Sequence, residues 1–145
     1  MDRLNVFAVI ALLILIAVGS AFTGCIEEDF DPKVEMTIPE AEMKEKDIDN
    51  NPPEEGHFFL DLNVSLENSG EDRHLYPVPR YFKLESDAGK NYTCYNERGM
   101  PDEIEPGETK NFWITFEIPK DEKGDILRYE PDWINEPLEA EVPGY

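Results

Sequence analysis

The sequence predicts an all-β protein, an antiparallel sandwich of roughly seven strands. Three observations predict this class. Apolar residues take every second position in two long segments, His57 to Asn68 and Thr109 to Ile118. Turns rich in glycine, proline, asparagine and aspartate recur between the alternating segments. Beyond the N-terminal region, no segment of ten or more residues has apolar side chains at helical spacing, so turns are expected to connect the strands.

Length and charge narrow the functional classes. The chain has 145 residues, which is enough for one domain but not for two. Its 13 Lys and Arg residues and 33 Asp and Glu residues give a formal net charge of −20. Nucleic-acid binding is excluded because no cluster of basic side chains is present to neutralise phosphates. The hydrophobic share of 40% excludes a chain that is disordered from end to end.

Residues 1–24 are predicted to form a signal peptide of the lipoprotein type. No charged side chain occurs from Leu4 to Ile26, and Arg3 precedes this segment. The apolar core from Val6 to Val18 has the character of a secretory signal. An uncleaved helical membrane anchor is the alternative, because the uncharged stretch is long enough to cross a bilayer.

The end of this segment resembles the lipobox of prokaryotic lipoproteins, in which a small pair precedes a lipidated cysteine. Thr23 and Gly24 supply the small pair before Cys25, whereas Phe22 stands where an aliphatic residue is usual. The resemblance implies lipidation at Cys25 and a location on the outer face of the cell membrane. Residues 25–32 then form an acidic tether, and residues 33–145 form the sandwich domain with a C-terminal extension.

The first strands are predicted from alternation. A strand is expected to begin near Lys33, because apolar residues alternate with polar ones up to Ile38. The segment from His57 to Asn68 is the clearest strand, with one apolar face and one mostly wet face. The residues from Asn68 to Asp72 then reverse the chain.

The middle of the sequence predicts an irregular connection and a hairpin. Two prolines in Leu75–Pro79 favour an edge strand or an extended connection. The alternation of Tyr81–Glu85 is followed by a glycine-bearing turn, and 91–95 is expected to return as the partner strand.

The last strands follow a Pro106-Gly107-Glu108 turn. The strand from Thr109 to Ile118 ends at Pro119, which has no backbone N–H to donate. A charged turn then leads to a short strand over Ile126–Tyr129.

These strand and turn motifs resemble those of the telokin-like, immunoglobulin-like domains of secreted prokaryotic lipoproteins of unknown function. In those domains a strand ends in an Asn-x-Gly turn, as at Asn68 to Gly70, and a Phe-x-Leu strand precedes a glycine-centred hairpin, as at Phe82 to Leu84. A Pro-Gly-Glu turn also opens a strand that ends in Phe-x-Ile-Pro, as at Phe116 to Pro119. The resemblance covers roughly residues 34–131 and implies an immunoglobulin-like sandwich without implying an activity.

The sequence offers no catalytic set and no cofactor motif. A nucleophile needs a nearby base, and the chain offers only His57, His74 and the thiol of Cys94. If Cys25 carries lipid, Cys94 has no disulfide partner, and it is expected to be buried as a small apolar side chain. We therefore expect a protein that is not an enzyme.

Calcium is the metal that the acidic composition favours. Asp47, Asp49 and Asn51 place oxygen side chains at the first, third and fifth positions of a calcium-type loop. Pro52 replaces the glycine of that motif, and Phe58 stands in place of its bidentate glutamate. These three residues are therefore weak metal candidates, and no metal is assigned.

Surface features suggest what the domain contacts. Asn63 and Asn91 begin N-x-S/T sequences and are glycosylation candidates in an exported chain. Several aromatic residues are candidates for an outer binding face: Phe59, Tyr76, Tyr92, Tyr95, Trp113 and Trp133. Alternatively, the C-terminal segment that contains Trp133, Ile134, Leu138 and Val142 packs over that face.

The function expected from these observations is that of an extracytoplasmic, membrane-anchored lipoprotein whose sandwich domain binds a partner or acts as a spacer. A protein or a carbohydrate is the expected partner, and the membrane is contacted through the lipid or the N-terminal anchor. The alternative is a calcium-dependent adhesion or sensing module.

Overall fold

The computed structural model describes residues 33–145, which form two four-stranded antiparallel sheets. The predicted all-β class is confirmed, with eight strands in place of about seven. The only helical element among these residues is a short 3-10 turn at Pro79–Tyr81. The strands are β1 (Val34–Lys44), β2 (His57–Asn68), β3 (Phe82–Ser86), β4 (Asn91–Thr93), β5 (Asn96–Arg98), β6 (Thr109–Pro119), β7 (Gly124–Tyr129) and β8 (Leu138–Glu141).

The first sheet has the strand order β1-β2-β6-β5, and the second sheet has the order β4-β3-β7-β8. The long strands β2 and β6 pair along their whole length, from His57 opposite Pro119 to Glu67 opposite Thr109. This register places their alternating apolar side chains on the same face. Nine of these side chains are buried in the core: Phe58, Leu60, Leu62, Val64, Leu66, Phe112, Ile114, Phe116 and Ile118.

The second sheet closes the core with aromatic and aliphatic side chains. The rings of Phe82 and Phe112 lie 5.6 Å apart in an edge-to-face arrangement, and Tyr129 lies 4.9 Å from Phe82. The sheets approach closely at Gly124, where an added Cβ would lie 2.6 Å from Leu60 Cδ2. Full burial of each large apolar side chain contributes roughly 1.5 to 3 kcal/mol, so a core of this size stabilises the domain without a disulfide.

The predicted strand over 91–95 is wrong in its second half. β4 ends at Thr93, and the chain passes through Cys94 and Tyr95 into β5 of the other sheet. The backbone N–H of Tyr95 donates to the carbonyl of Thr115, 2.8 Å away, which attaches the crossing to β6. Alternation within a short segment cannot reveal such a change of sheet, because the partner of β5 is β6, which is not its hairpin neighbour β4.

The Asn-x-Gly and Pro-Gly-Glu turns are held together by Asn68, which is buried. Its side-chain amide donates to the carbonyls of Arg73 and Ile104 at 2.7 and 3.0 Å. Its side-chain oxygen accepts from Gly70 N–H at 3.2 Å, and its backbone carbonyl accepts from Gly107 N–H at 2.7 Å. Gly107 has φ = +81°, a conformation that glycine adopts without a Cβ clash. The two turns therefore form one hydrogen-bonded unit.

β1 is an edge strand whose register shifts between Thr37 and Glu40. Pro39 lies in this irregular stretch, as expected for a residue that cannot donate to a ladder. The predicted connection at 75–79 forms a single bridge between Leu75 and Ile104 and runs into the 3-10 turn that begins at Pro79.

Among residues 33–145 there is no helix with the length and apolar character needed to cross a membrane. The predicted signal peptide (residues 1–24), the lipidation site at Cys25 and the acidic tether (25–32) lie outside the described residues.

Candidate functional site

The outer face of the first sheet points away from the core but is partly covered. Phe59 of β2 lies on this face, and its side chain is completely buried. The ring of Tyr95 packs against it, with the ring centroids 5.0 Å apart. Phe59 is therefore not available as a member of an outer binding face, because the crossing between β4 and β5 places a second aromatic ring over it.

The loop 45–51 is ordered around Asp47. Asp47 Oδ1 accepts the backbone N–H groups of Asp49 and Asn51 at 2.9 and 2.7 Å, and Oδ2 accepts from the amide of Asn51 and the hydroxyl of Tyr95 at 3.2 Å. Desolvation acts to raise the pKa of Asp47, but these hydrogen bonds outweigh it and lower the pKa.

The three calcium candidates therefore share one loop, but the oxygens of Asp47 already accept four hydrogen bonds. A Ca²⁺ ion bound through Asp47 would compete with these donors. Calcium binding at Asp47, Asp49 and Asn51 stays a prediction.

A recess of about 140 Å³ lies between this loop and the first sheet. Asp61 of β2 lines it and is only 9% exposed, and its Oδ1 accepts the hydroxyl of Thr115 at 2.6 Å. The full lining comes from β1, β2, β5, β6 and the loop: Lys44, Lys46, Asp47, Ile48, Asp61, Asn96, Glu97, Arg98, Trp113 and Thr115.

Three basic side chains line this recess together with the carboxylates of Asp47, Asp61 and Glu97. The guanidinium of Arg98 lies 5.2 Å from the ring centroid of Trp113, a cation–π distance. Lys44 pairs with Glu42, and the hydrogen bond from Lys44 lowers the pKa of Glu42. Within residues 33–145, the side chains of Lys46 and Arg98 form no ion pair and no hydrogen bond.

The lining offers charged and polar groups that can bind a polar ligand. The unpaired Lys46 and Arg98 can bind a carboxylate, because guanidinium and ammonium groups donate strong charge-assisted hydrogen bonds. Asp61, Asn96 and Thr115 offer acceptors and donors for hydroxyl groups. The lining contains no cysteine, histidine or serine that would serve as a nucleophile beside a base.

A second polar cluster surrounds Glu122, whose carboxylate is buried at the end of the second sheet. It accepts hydrogen bonds from the hydroxyls of Ser86 and Tyr92 at 2.7 and 2.6 Å and pairs with Lys90. These donors, Lys90 first, lower the pKa of Glu122 to about 2, and burial raises the pKa of Tyr92 to about 12. Every member has a partner, so this cluster is assigned to folding.

The two histidines and the cysteine are not brought together. Nδ1 of His74 lies 3.1 Å from Oε2 of Glu103, and the His74 ring stacks on Tyr76. Nδ1 of His57 lies 3.3 Å from the carbonyl of Glu55. Cys94 is half-buried against the core, and burial raises the pKa of its thiol to about 11. The thiol is therefore protonated at neutral pH.

The remaining aromatic candidates do not form one surface with Phe59 and Trp113. Trp133 packs edge-on against Tyr129 at 6.4 Å, whereas Tyr76 is exposed. Ile134, Leu138 and Val142 pack against the core, and the segment supplies edge strand β8 of the second sheet. The C-terminal segment thus packs as the alternative expected, but on the second sheet.

The glycosylation candidates lie at the surface. Asn63 is half-buried in the middle of β2, and Asn91 is exposed at the start of β4. Their modification stays a prediction.

The sequence did not identify the residues that form the recess, apart from Asp47 and Trp113. Asp61 lies between Leu60 and Leu62 in a long strand, on the face that the alternation predicts to be wet. Its burial depends on Thr115 of the neighbouring strand β6, whose position the sequence does not give. Arg98 lies in β5, a three-residue strand whose side chains show no apolar alternation. No signal in one sequence assigns that strand to a sheet.

Comparison with known proteins places the fold and the family. The structure is similar to the crystal structure of MPT63, a secreted protein from Mycobacterium tuberculosis, with a TM-score of 0.55 and 16% identity over 75% of this chain and 82% of that one. An uncharacterized β-sandwich protein from Clostridium difficile 630 has a TM-score of 0.45 and 19% identity, over 77% and 86% of the two chains. No curated protein sequence matches the chain significantly.

The sequence over residues 27–139 matches the model of a family described as a domain of unknown function, DUF4352. The match covers most of the chain and nearly all of the described sandwich. The protein is therefore a member of the DUF4352 family.

Proposed function

We propose that the protein is an extracytoplasmic domain, anchored to the membrane through lipid on Cys25, that binds an acidic carbohydrate without catalysis. The observation that carries the binding role is the recess on the first sheet, where Lys46 and Arg98 have no ion-pair partner among residues 33–145.

The proposed location is supported by sequence and by fold. An uncharged stretch from Leu4 to Ile26 precedes a Thr-Gly-Cys sequence, and together they have the features of a lipoprotein signal. The similar fold of MPT63 occurs in a protein described as secreted. The acidic residues that follow Cys25 would hold the domain away from a surface of like charge.

The chemistry of the recess supports a ligand that carries both a carboxylate and hydroxyl groups. Arg98 and Lys46 would bind the carboxylate, and Asp61, Asn96 and Thr115 would bind hydroxyls. A volume of about 140 Å³ is below the range of about 300 to 1,000 Å³ typical of small-molecule pockets. One sugar unit of a longer polymer is therefore the expected occupant.

Binding is tested by titrating oligogalacturonate into the detergent-solubilised full chain, with calorimetry and the fluorescence of Trp113 as readouts. A Trp133→Phe background removes the second tryptophan. We expect Arg98→Gln to weaken binding about tenfold or more, because a charge-assisted hydrogen bond is lost.

The matched control is Lys83→Gln, which removes a cation from the second sheet, where Lys83 pairs with Glu130 at 2.5 Å. This control should bind like the wild type. Equal affinity for an uncharged oligosaccharide, or unchanged binding by Arg98→Gln, would contradict the proposal.

The lipid anchor is tested by labelling cells with radioactive palmitate. We expect label on the wild-type protein and none on Cys25→Ser. If the Cys25→Ser chain stays in the membrane fraction at full length and the wild type is also unlabelled, the uncleaved anchor is the correct interpretation.

The calcium-dependent alternative is favoured by one observation, the gathering of Asp47, Asp49 and Asn51 in a single loop beside the recess. It predicts heat on titration with Ca²⁺ and a rise in melting temperature, both of which Asp47→Asn removes. Absence of both in the wild type dismisses it.

A further inference from the structure

A second group of side chains lies where β2 begins, outside the recess. A ring nitrogen of His57 and carboxylate oxygens of Glu54 and Glu117 lie within 4.8 Å of one another. His57 opens β2, Glu117 lies in β6, and Glu54 lies in the connection before β2. Because Phe58 and Ile118 face the core as a cross-strand pair, the side chains of His57 and Glu117 share the outer face.

Two of these side chains make hydrogen-bonding contacts with the backbone of the connection before β2. Nδ1 of His57 lies 3.3 Å from the backbone carbonyl of Glu55. The tautomer that donates from Nδ1 to that carbonyl has its lone pair on Nε2. Histidines that bind metals usually have their second nitrogen engaged in this way. Glu117 Oε1 accepts the backbone N–H of Glu54 at 2.6 Å, which leaves Oε2 without that constraint.

The group brings two carboxylates together beside His57, and Lys44 and Lys120 line the same cleft as Glu54 and His57. Glu54 and Glu117 form no ion pair with a lysine or arginine among residues 33–145. The ring of His57 also forms no hydrogen bond with either carboxylate in that part of the chain. The three side chains therefore lie close together without hydrogen-bonding one another, and an ion bound between them would compete with no bond among them.

We propose that Glu54, His57 and Glu117 bind a divalent transition-metal ion, for which Zn²⁺ is the appropriate probe. An imidazole nitrogen with two carboxylate oxygens is a mixed donor set that suits Zn²⁺ better than Ca²⁺, which takes six to eight oxygens. Three protein ligands leave a fourth tetrahedral position for water. Bound metal joins the connection before β2 to β6 and so stabilises that end of the first sheet.

The experiment titrates ZnCl₂ into the chelator-treated full chain in detergent, with calorimetry and thermal unfolding as readouts. We expect one Zn²⁺ per chain and a rise in melting temperature. His57→Ala should bind Zn²⁺ at least about tenfold more weakly, because losing a ligand costs no less than losing an outer-shell partner. Glu117→Gln should weaken Zn²⁺ binding similarly. This second variant tests the same site if His57→Ala does not fold.

The matched control is His74→Ala, which removes the other described histidine together with its contact to Glu103. It should bind Zn²⁺ with wild-type affinity. The proposal is overturned by the absence of one-to-one Zn²⁺ binding, by unchanged affinity in both His57→Ala and Glu117→Gln, by equal loss in His74→Ala, or by a preference for Ca²⁺.

The outcome is separable from that of the carbohydrate titration. His57→Ala leaves Lys46, Asp61 and Arg98 in place, so binding of oligogalacturonate should not change. Arg98→Gln in turn should leave the affinity for Zn²⁺ unchanged.

Discussion

The cluster around Glu122 and the recess around Arg98 contain similar residue types but differ in how completely they are paired. In the first, the carboxylate accepts from Ser86 and Tyr92 and pairs with Lys90. In the second, the cations of Lys46 and Arg98 have no ion-pair partner among residues 33–145. A cluster with every group satisfied stabilises the fold, whereas unmatched donors beside a recess are available to a ligand.

Asn68 is the centre of an uncharged cluster in which every polar group of its side chain is hydrogen-bonded. Its substitution should have the largest effect on the free energy of unfolding. Asn68→Ala removes the side-chain hydrogen bonds to Arg73, Gly70 and Ile104 from a buried site. The backbone hydrogen bonds of residue 68 to Gly107 and Glu108 remain. We expect a loss of about 3 kcal/mol in the free energy of unfolding, measured by urea denaturation. A loss below about 1 kcal/mol would show that the paired clusters are not essential to folding.

Glu122 gives the next largest effect, and its sign depends on pH. Its pKa is lowered from 4.5 in a model compound to about 2 in the folded chain. Its stabilising contribution is therefore present above pH 4.5 and is lost as the pH falls toward 2. At pH 7 we expect Glu122→Gln to lower the melting temperature by about 5 °C or more.

The difference in melting temperature between the wild type and Glu122→Gln should shrink as the pH falls from 5 to 3. Glu71→Gln, an exposed carboxylate in the turn after β2, is the control. A difference that stays constant with pH would mean that Ser86, Tyr92 and Lys90 do not lower the pKa of Glu122.

Tyr129 is the opposite case to Asn68, because its buried hydroxyl has no hydrogen-bond partner among the described residues. Burial raises the pKa of this phenol, which stays neutral. Tyr129→Phe should leave the stability unchanged or raise it by about 1 kcal/mol, in contrast to Asn68→Ala. A loss of more than 1 kcal/mol in urea denaturation would reveal a partner for the hydroxyl.

Arg98 should have the smallest effect on stability. Because its guanidinium has no ion-pair partner in the described part of the chain, Arg98→Gln should move the melting temperature by no more than about 2 °C. The same variant is expected to weaken carbohydrate binding. A large drop in melting temperature without a change in binding would assign the recess to folding.

The parts of the fold predicted from sequence are those with strong local signals. The twelve residues of β2 and the eleven of β6 show an apolar period of two. Asn68 marks the turn at the end of β2, and Gly107 marks the turn before β6. β5 and β8 were missed because strands of three and four residues are too short to establish a period.

The candidate site was harder to predict because its members come from distant parts of the chain. Asp61 and Thr115 form a 2.6 Å hydrogen bond across 54 residues of sequence, and Arg98 reaches Trp113 only because the chain changes sheets at Cys94. Spacing within one segment carries no information on such pairs. The buried state of Phe59 was missed for the same reason, since its cover is Tyr95.

The irregular stretch of β1 has a consequence for how copies of the protein behave when crowded. An edge strand presents free backbone donors and acceptors to which a neighbouring chain can add. Pro39 offers no N–H, and the register shift there bends the strand out of line. A foreign strand that pairs with β1 therefore meets a break in the ladder at this point, which disfavours intermolecular growth from this edge of the first sheet.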